Sequence, residues 1–468
     1  MTLDLERPLR NPDLTSPPLM SKRARWLVVL GFLLPGSAQI LSGNRKLGRF
    51  GLTATIILLV GGIASVLGLM FARAATLTIF TNSWVLLILQ WALFAYAVLW
   101  VILGLNTLGL TRLRRVQRNW KLPVAVLSVV LTLVPAAGAA WAGTSVAAGR
   151  GALSDIFGSA PAVAPVDGRY NFLLLGTDAG ADREGLRPDS ISVVSVDAET
   201  GQAAIIGVPR ELEATPFAEG SPMAEMHPNG FGVGPNAFGD YGGCEVGRCI
   251  LNGIYAEAEL FYPELYPNAK KRDSSPGIEA TREAVEGALG LKIQFYVLLN
   301  MDGFAELIDA LGGVTMDVTE RLPIGGGADE YGQPVNMDGW IEPGKQHLNG
   351  FQAQWYARSR YGSSNGDYDR MQRQRELQAA ILAQMNPANV LVKFQGIASA
   401  GTQLIETDIP ESMLGRLVDL AGKSRGHEIV NVELVPPAVE PDAPDFDVIR
   451  QLTAEGIAEA SPPKKDEG

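Results

Sequence analysis

Three small clusters carry the residue types from which phosphate chemistry can be built: Gly176-Thr177-Asp178 followed by Arg187-Pro188-Asp189-Ser190, then Val208-Pro209-Arg210-Glu211, then Arg358-Ser359-Arg360 with Asp367, Arg370, Arg373 and Gln374. Asp178 follows an apolar run that should end in a turn and Asp189 precedes the next one, so the two carboxylates can converge at one edge of a sheet. Oxygen ligands placed that way suit Mg2+, which takes one or two carboxylates and completes its shell with water and phosphate oxygens. The competing reading is ordinary, since aspartate is common in turns. Arg210 closes a hydrophobic strand, and Arg358 and Arg360 share a face if their segment is extended. Each guanidinium offers a planar fork that matches phosphate oxygens. On a helix starting near Asp369, Arg370, Arg373 and Gln374 fall at i, i+3 and i+4 and project together. Any one of these arginines could instead serve a surface ion pair. As a set, in a chain with a net charge of −11, they point to a polyanion site.

Other reactive groups are sparse. His347, one of three histidines, reads as structural, and no zinc spacing is present. The glycines 325–327 form a loop outside the strand-to-helix setting that a phosphate-cradling glycine turn requires. No Ser-His-Asp arrangement or nucleophile elbow is evident. The two cysteines, Cys244 and Cys249, would pair as a disulfide if their part of the chain is exported; an unpaired structural role is the alternative.

The elements that must position these groups alternate between two periods. The run 172–175 stops at Gly176, and the runs 190–196 and 203–208 flank a turn at 197–201, which predicts a hairpin of buried strands. A strand is expected over 293–299. Asp302 can cap a helix with Phe304, Leu307, Ile308 and Leu311 on one face and Gly312 as its stop, before Val314, Met316 and Val318 alternate as a strand. Helices over 279–289 and 369–385 complete an α/β or α+β sandwich around a central sheet.

The first third of the chain is different. Apolar residues make up 47% of the whole, and the long apolar runs are concentrated at 50–72, 84–105 and 122–141, each long enough to cross a bilayer as a helix. The segment 26–42 is shorter and interrupted by Pro35-Gly36, which leaves a full crossing and a re-entrant or interfacial helix both open. Basic residues cluster at Lys22 to Arg25, at Arg45 to Arg49 and at Arg112 to Lys121, whereas the loop 73–83 holds Arg73 alone. The positive-inside rule then puts everything after about Gly143 outside the cell. This divides the chain into a cytoplasmic segment 1–25, a membrane region 26–142, a linker 143–168, a soluble domain 169–390, a helical and strand extension 391–458 and a disordered tail 459–468. The acidic balance and the absence of a basic recognition face argue against nucleic-acid binding.

Taken in order, Gly176-Thr177-Asp178, Arg187-Pro188-Asp189-Ser190, Val208-Pro209-Arg210-Glu211 and Tyr356-Ala357-Arg358-Ser359-Arg360 through Arg370-Met371-Gln372-Arg373-Gln374 resemble the LytR-CpsA-Psr family of cell-wall phosphotransferases. Each motif is weak alone; four in this order are specific, and the resemblance spans roughly 171–385. It implies an α/β, α-β-α sandwich-like domain with a central mixed sheet and an apolar pocket for a polyprenyl chain. It implies Mg2+ near Asp178 and Asp189, and Arg187, Arg210, Arg358, Arg360, Arg370 and Gln374 at the pyrophosphate, with Asp189, Arg187 and Arg210 closest to the chemistry. The activity implied is transfer of a glycan phosphate from a polyprenyl pyrophosphate carrier onto peptidoglycan, at the outer side of the plasma membrane. A pyrophosphohydrolase, or a non-catalytic sensor of lipid-linked precursors, is the alternative. The chain departs from the family pattern in having at least three spans instead of one, and in Arg375 where a second glutamine is frequent.

Overall fold

A charge-free run of Leu, Ile and Val satisfies its backbone in lipid as a helix, and the N-terminal unit, Met1–Gly151, is built of helices. In the computed structural model, which describes residues 12–158, 160–177, 187–235, 243–329, 334–359, 367–384 and 405–462, they are α1 (Pro17–Leu33), α2 (Ser37–Ser42), α3 (Arg45–Phe71), α4 (Arg73–Thr81), α5 (Ser83–Thr111) and α6 (Arg118–Ile156). Among the described residues three stretches, Arg45–Phe71, Ser83–Arg115 and Arg118–Gly151, are long and apolar enough to cross a membrane. The interrupted segment is divided between the second half of α1 and the short α2, because Gly36 at φ +99° turns the chain between them. Gln39 of α2 is buried and donates to the Leu103 carbonyl at 2.8 Å and to Thr107 Oγ1 at 3.0 Å on α5. α6 runs on to Ile156, so the Ala- and Gly-rich stretch that reads as a linker begins as helix.

The second unit, Ala152–Gly468, continues with β1 (Arg169–Thr177), β2 (Pro188–Asp197), β3 (Ala203–Val208), α7 (Pro222–Met226), α8 (Gly253–Leu260), α9 (Pro276–Leu289), β4 (Phe295–Asn300) and α10 (Met301–Leu311). There follow β5 (Val314–Val318), β6 (Leu322–Ile324), β7 (Gly327–Ala328), β8 (Pro334–Val335), β9 (Gly339–Ile341), β10 (Gly344–Leu348), α11 (Gly350–Arg358) and α12 (Asp367–Gln384). The chain ends on β11 (Ile405–Thr407), α13 (Leu414–Ser424), β12 (Val430–Glu433) and α14 (Phe446–Glu459). The central sheet has the order β11-β4-β1-β2-β3-β12. It is mixed: β1 runs parallel to β4 and β3 to β12, while the β1-β2, β2-β3 and β4-β11 pairs are antiparallel. The fold is therefore the α/β sandwich with a central mixed sheet that the motif order implies.

Alternation along the strands divides the sheet into two faces. Leu173 and Leu175, Ile191 and Val193, and Ile206 and Val208 join α8, α9 and α14 in one continuous core. The other face carries α12. A smaller core, around Ile308, Val314, Leu348 and Tyr356, holds α10 and α11 to β5 and β10.

Three local expectations are corrected. The cap of α10 is Asn300, whose Oδ1 accepts from the Gly303 amide at 2.7 Å, with Asp302 in the first turn. The Tyr356–Arg358 segment is helical, not extended, because Asn349 and Gln352 form a reciprocal capping box that starts α11 at Gly350. Arg373 does not project with Arg370 and Gln374, for reasons given below.

Candidate functional site

The face of the sheet turned away from the main core is lined by Phe172, Leu174, Val194, Val196, Val297 and Leu299, and with α10, α11, α12 and α13 it encloses a cavity of about 870 Å3. The wall supplied by α12 follows helical spacing. Arg370, Gln374, Leu377, Gln378, Ile381 and Leu382 all line the space, with charge at the start of the helix and apolar side chains toward its end. The cavity is thus greasy along its length and polar at one mouth, where β1 ends and β2 begins.

The mouth is assembled from four elements. Asp189, second residue of β2, forms an ion pair with Arg210, which follows β3; their side chains are 32% and 16% exposed. The Arg210 carbonyl accepts from the Asn252 amide at 3.0 Å, tying this turn to the start of α8. Arg370 on α12 is buried and donates from Nη2 to the Asp189 carbonyl at 3.2 Å. Gln374, one turn later, accepts from Ser190 Oγ at 2.8 Å and donates to the Ala357 carbonyl at 3.1 Å. Gln378 repeats the contact one turn deeper, donating to Ser192 Oγ at 3.1 Å. Glutamines four residues apart thus meet serines two apart, and this pins the register of α12 on β2.

Of the arginines singled out in the sequence, Arg210, Arg358 and Arg370 line the cavity together with Asp189 and Gln374. Arg358, the last residue of α11, is exposed, with its guanidinium 5.6 Å from the Trp355 ring centre. Arg187 is exposed just before β2 and does not line the cavity. Asp178 and Arg360 lie outside the described residues. Arg373 turns away from the mouth: it donates to Glu320 at 3.0 Å and to the Ser359 carbonyl. Burial holds its guanidinium below the ordinary arginine range, against the opposing pull of Glu320. Its place is under the Arg358 segment.

Two hydroxyls at the mouth were not singled out for a role by sequence reasoning. Thr177 Oγ1 and Ser359 Oγ are buried, line the cavity and have no hydrogen-bond partner among the described residues. A buried hydroxyl without a partner costs free energy that a ligand oxygen or cation can restore. Their only sequence signal is adjacency to Asp178 and Arg358. Thr177 pairs with Pro188 across a register irregularity, which brings it beside Asp189. Cys244 and Cys249 are joined in a disulfide, one residue before Ile250 pairs with Glu213 downstream of Arg210. His347 Nδ1 bonds Thr315 Oγ1 at 2.9 Å, away from the mouth's residues.

A family model described as LytR_cpsA_psr family matches residues 152–442. The chain is 36% identical over 125 residues to Biofilm regulatory protein A of Streptococcus mutans, covering 27% of this chain and 30% of that protein. It is 24% identical over 240 residues to the polyisoprenyl-teichoic acid–peptidoglycan teichoic acid transferase TagU of Halalkalibacterium halodurans, covering 51% of this chain and 61% of that one. The match thus spans from under a third to about three fifths of these relatives. The crystal structure of B. subtilis TagV superposes with a TM-score of 0.41 at 20% identity, covering 63% of this chain and 98% of that structure.

Proposed function

The chain belongs to the LytR_cpsA_psr family, and on that premise we propose that it is a phosphotransferase moving a glycan phosphate from a polyprenyl pyrophosphate carrier onto peptidoglycan. The observation that carries this reading is the joining of an apolar cavity of about 870 Å3 to a mouth of Arg210, Arg358, Arg370 and Gln374. A long hydrocarbon with an anionic head is the ligand chemistry that matches both ends. The relative TagU, named as a teichoic acid transferase, supports the same direction.

In this reading the hydroxyl of an acceptor sugar attacks the glycan-side phosphorus. The bond from that phosphorus to the bridging oxygen breaks, and polyprenyl phosphate leaves with the electron pair. The chain forms no covalent intermediate. Arg210 and Arg370 stabilise charge that builds on the phosphoryl oxygens, and the glutamine-serine contacts hold α12 so that Arg370 stays over the start of β2. The Asp189 carboxylate, one third exposed and paired with Arg210, would receive the acceptor proton.

The donors fit Mg2+. Asp189 and Thr177, whose Oγ1 has no hydrogen-bond partner among the described residues, both offer hard oxygens to the mouth, and we propose that they would hold the ion with Asp178. Bound there, Mg2+ would neutralise pyrophosphate charge. The pattern of basic residues around the membrane-capable helices supports a multi-pass protein whose domain after α6 is extracytoplasmic.

The test is transfer by the full-length chain from a polyprenyl pyrophosphoryl sugar to peptidoglycan oligomers, with and without Mg2+. Metal-dependent sugar phosphate on the acceptor, lost in Asp189→Ala, is expected. Free sugar phosphate alone would replace transfer with hydrolysis, and binding without any product would make the protein a sensor.

A further inference from the structure

The cavity has a floor as well as a mouth, and among the described residues one helix supplies the floor. Along β2 the lining residues run from Ser190 at the mouth to Val196, six steps or roughly 20 Å at the usual strand rise. Along α12 they run from Arg370 to Leu382, twelve steps or roughly 18 Å at the helical rise. Two independent walls therefore give the same depth. At that depth the lining passes to α13, whose Leu417, Leu420, Ala421 and Ser424 recur at i, i+3, i+4 and i+7 and face the space.

α13 lies across the strand ends. Near its start, the Arg416 guanidinium sits over the Tyr170 ring, at the beginning of β1, at 5.3 Å. At its other end it meets the β2-β3 turn. There Lys423 Nζ donates to the Glu199 carbonyl at 3.0 Å. A Cβ on Gly201 would meet the Leu420 carbonyl oxygen and Lys423 Cβ at 2.8 Å each. The helix is thus seated on the turn without room for a side chain between them.

We propose that α13 sets how much of the carrier's hydrocarbon is enclosed, with Ala421 and Leu417 as the residues that determine chain-length preference. The proposal rests on the polyprenyl reading given above. An isoprene unit adds four backbone bonds, roughly 4–5 Å when extended, by scaling from the three-bond repeat of an extended peptide. A depth of roughly 18–20 Å then takes about four units before the chain reaches α13. Each enclosed unit removes apolar surface from water and should strengthen binding by about tenfold or more. Units beyond the floor should add little.

The experiment measures Kd by calorimetry for farnesyl, geranylgeranyl, heptaprenyl and undecaprenyl pyrophosphate on the full-length chain in detergent, for the natural sequence, Ala421→Phe and Leu417→Ala. In the natural sequence affinity should climb steeply to geranylgeranyl and then flatten. Ala421→Phe, which raises the floor by about one unit on the same scale, should leave farnesyl affinity within about twofold and abolish the gain from the fourth unit. Leu417→Ala should shift the break to longer chains, which keeps the test decisive if the phenylalanine variant does not fold. A break that stays in place in both variants, or a uniform weakening at every length, would overturn the assignment of the floor. Failure of the natural sequence to bind any of the four would overturn the polyprenyl reading itself.

Discussion

At the scale of the residue, the arginines that look alike in the sequence divide into two kinds. Arg210 and Arg370 line the mouth, whereas Arg373 is spent on Glu320 and the Ser359 carbonyl. Replacing either kind should therefore fail differently. On the proposed transfer mechanism Arg210→Ala removes a charge-stabilising donor and should lower turnover on the order of 100-fold. Arg373→Met instead leaves the Ser359 carbonyl without its donor, and because Glu320 is itself 38% exposed the loss should be about 1–3 kcal/mol of stability. Thermal melts alongside transfer rates separate the two. An Arg373→Met protein that melts like the natural one but has lost turnover would place Arg373 among the groups that touch substrate. Sequence spacing cannot make this distinction, since i, i+3 and i+4 lie on one face whatever that face meets.

At the scale of the element, strand alternation was legible and helix direction was less so. The hairpin of β2 and β3, the stop at Gly312 and the strand Val314–Val318 follow from local pattern, because a residue's face in a strand depends only on parity. What escaped were features decided by reciprocal contacts. The capping box at Asn349 and Gln352 makes the Arg358 segment helical, and the hydroxyls of Thr177 and Ser359, without a hydrogen-bond partner among the described residues, emerge only once β1, β2 and α11 meet. The pair formed by Glu283 of α9 and Tyr266, ahead of that helix, shows the same dependence on assembly. Burial raises the Glu283 carboxyl above its ordinary range, with hydrogen bonds from Tyr266, Met223 and Ser221 only partly opposing, and the Tyr266 phenol is raised as well, by burial and by Glu283. Glu283 thus binds its proton more tightly folded than unfolded. Its contribution is fully present below the ordinary glutamate value and is lost as pH rises through the folded one. The expected outcome is a melting temperature that falls as pH is raised from the acid side toward neutrality, with a shallower slope in Glu283→Gln. Equal slopes would show that Glu283 titrates normally.

At the scale of the whole molecule, composition announces two kinds of solvent, and the membrane-capable unit is where glycine makes the difference between a contact and a clash. A Cβ on Gly36 would lie 2.3 Å from the Gly48 carbonyl oxygen, and one on Gly48 would lie 2.6 Å from the Gly36 carbonyl oxygen. Each glycine is therefore the space the other's backbone occupies, as small residues permit where helices approach closely. Gly36 also holds φ at +99°, which a side chain resists. By contrast, Gly61 and Gly62 of α3 have nothing within 4 Å of an added Cβ. Gly36→Ala and Gly48→Ala should each destabilise the unit by about 1–3 kcal/mol, the range for enforced backbone strain. Gly61→Ala should be neutral or slightly stabilising, since alanine exceeds glycine in helix propensity by up to about 1 kcal/mol. Thermal unfolding of the four proteins in one detergent decides it. If all three variants melt together, the bend between α1 and α2 is not held by glycine, and the interruption at Pro35-Gly36 would owe its form to the proline alone.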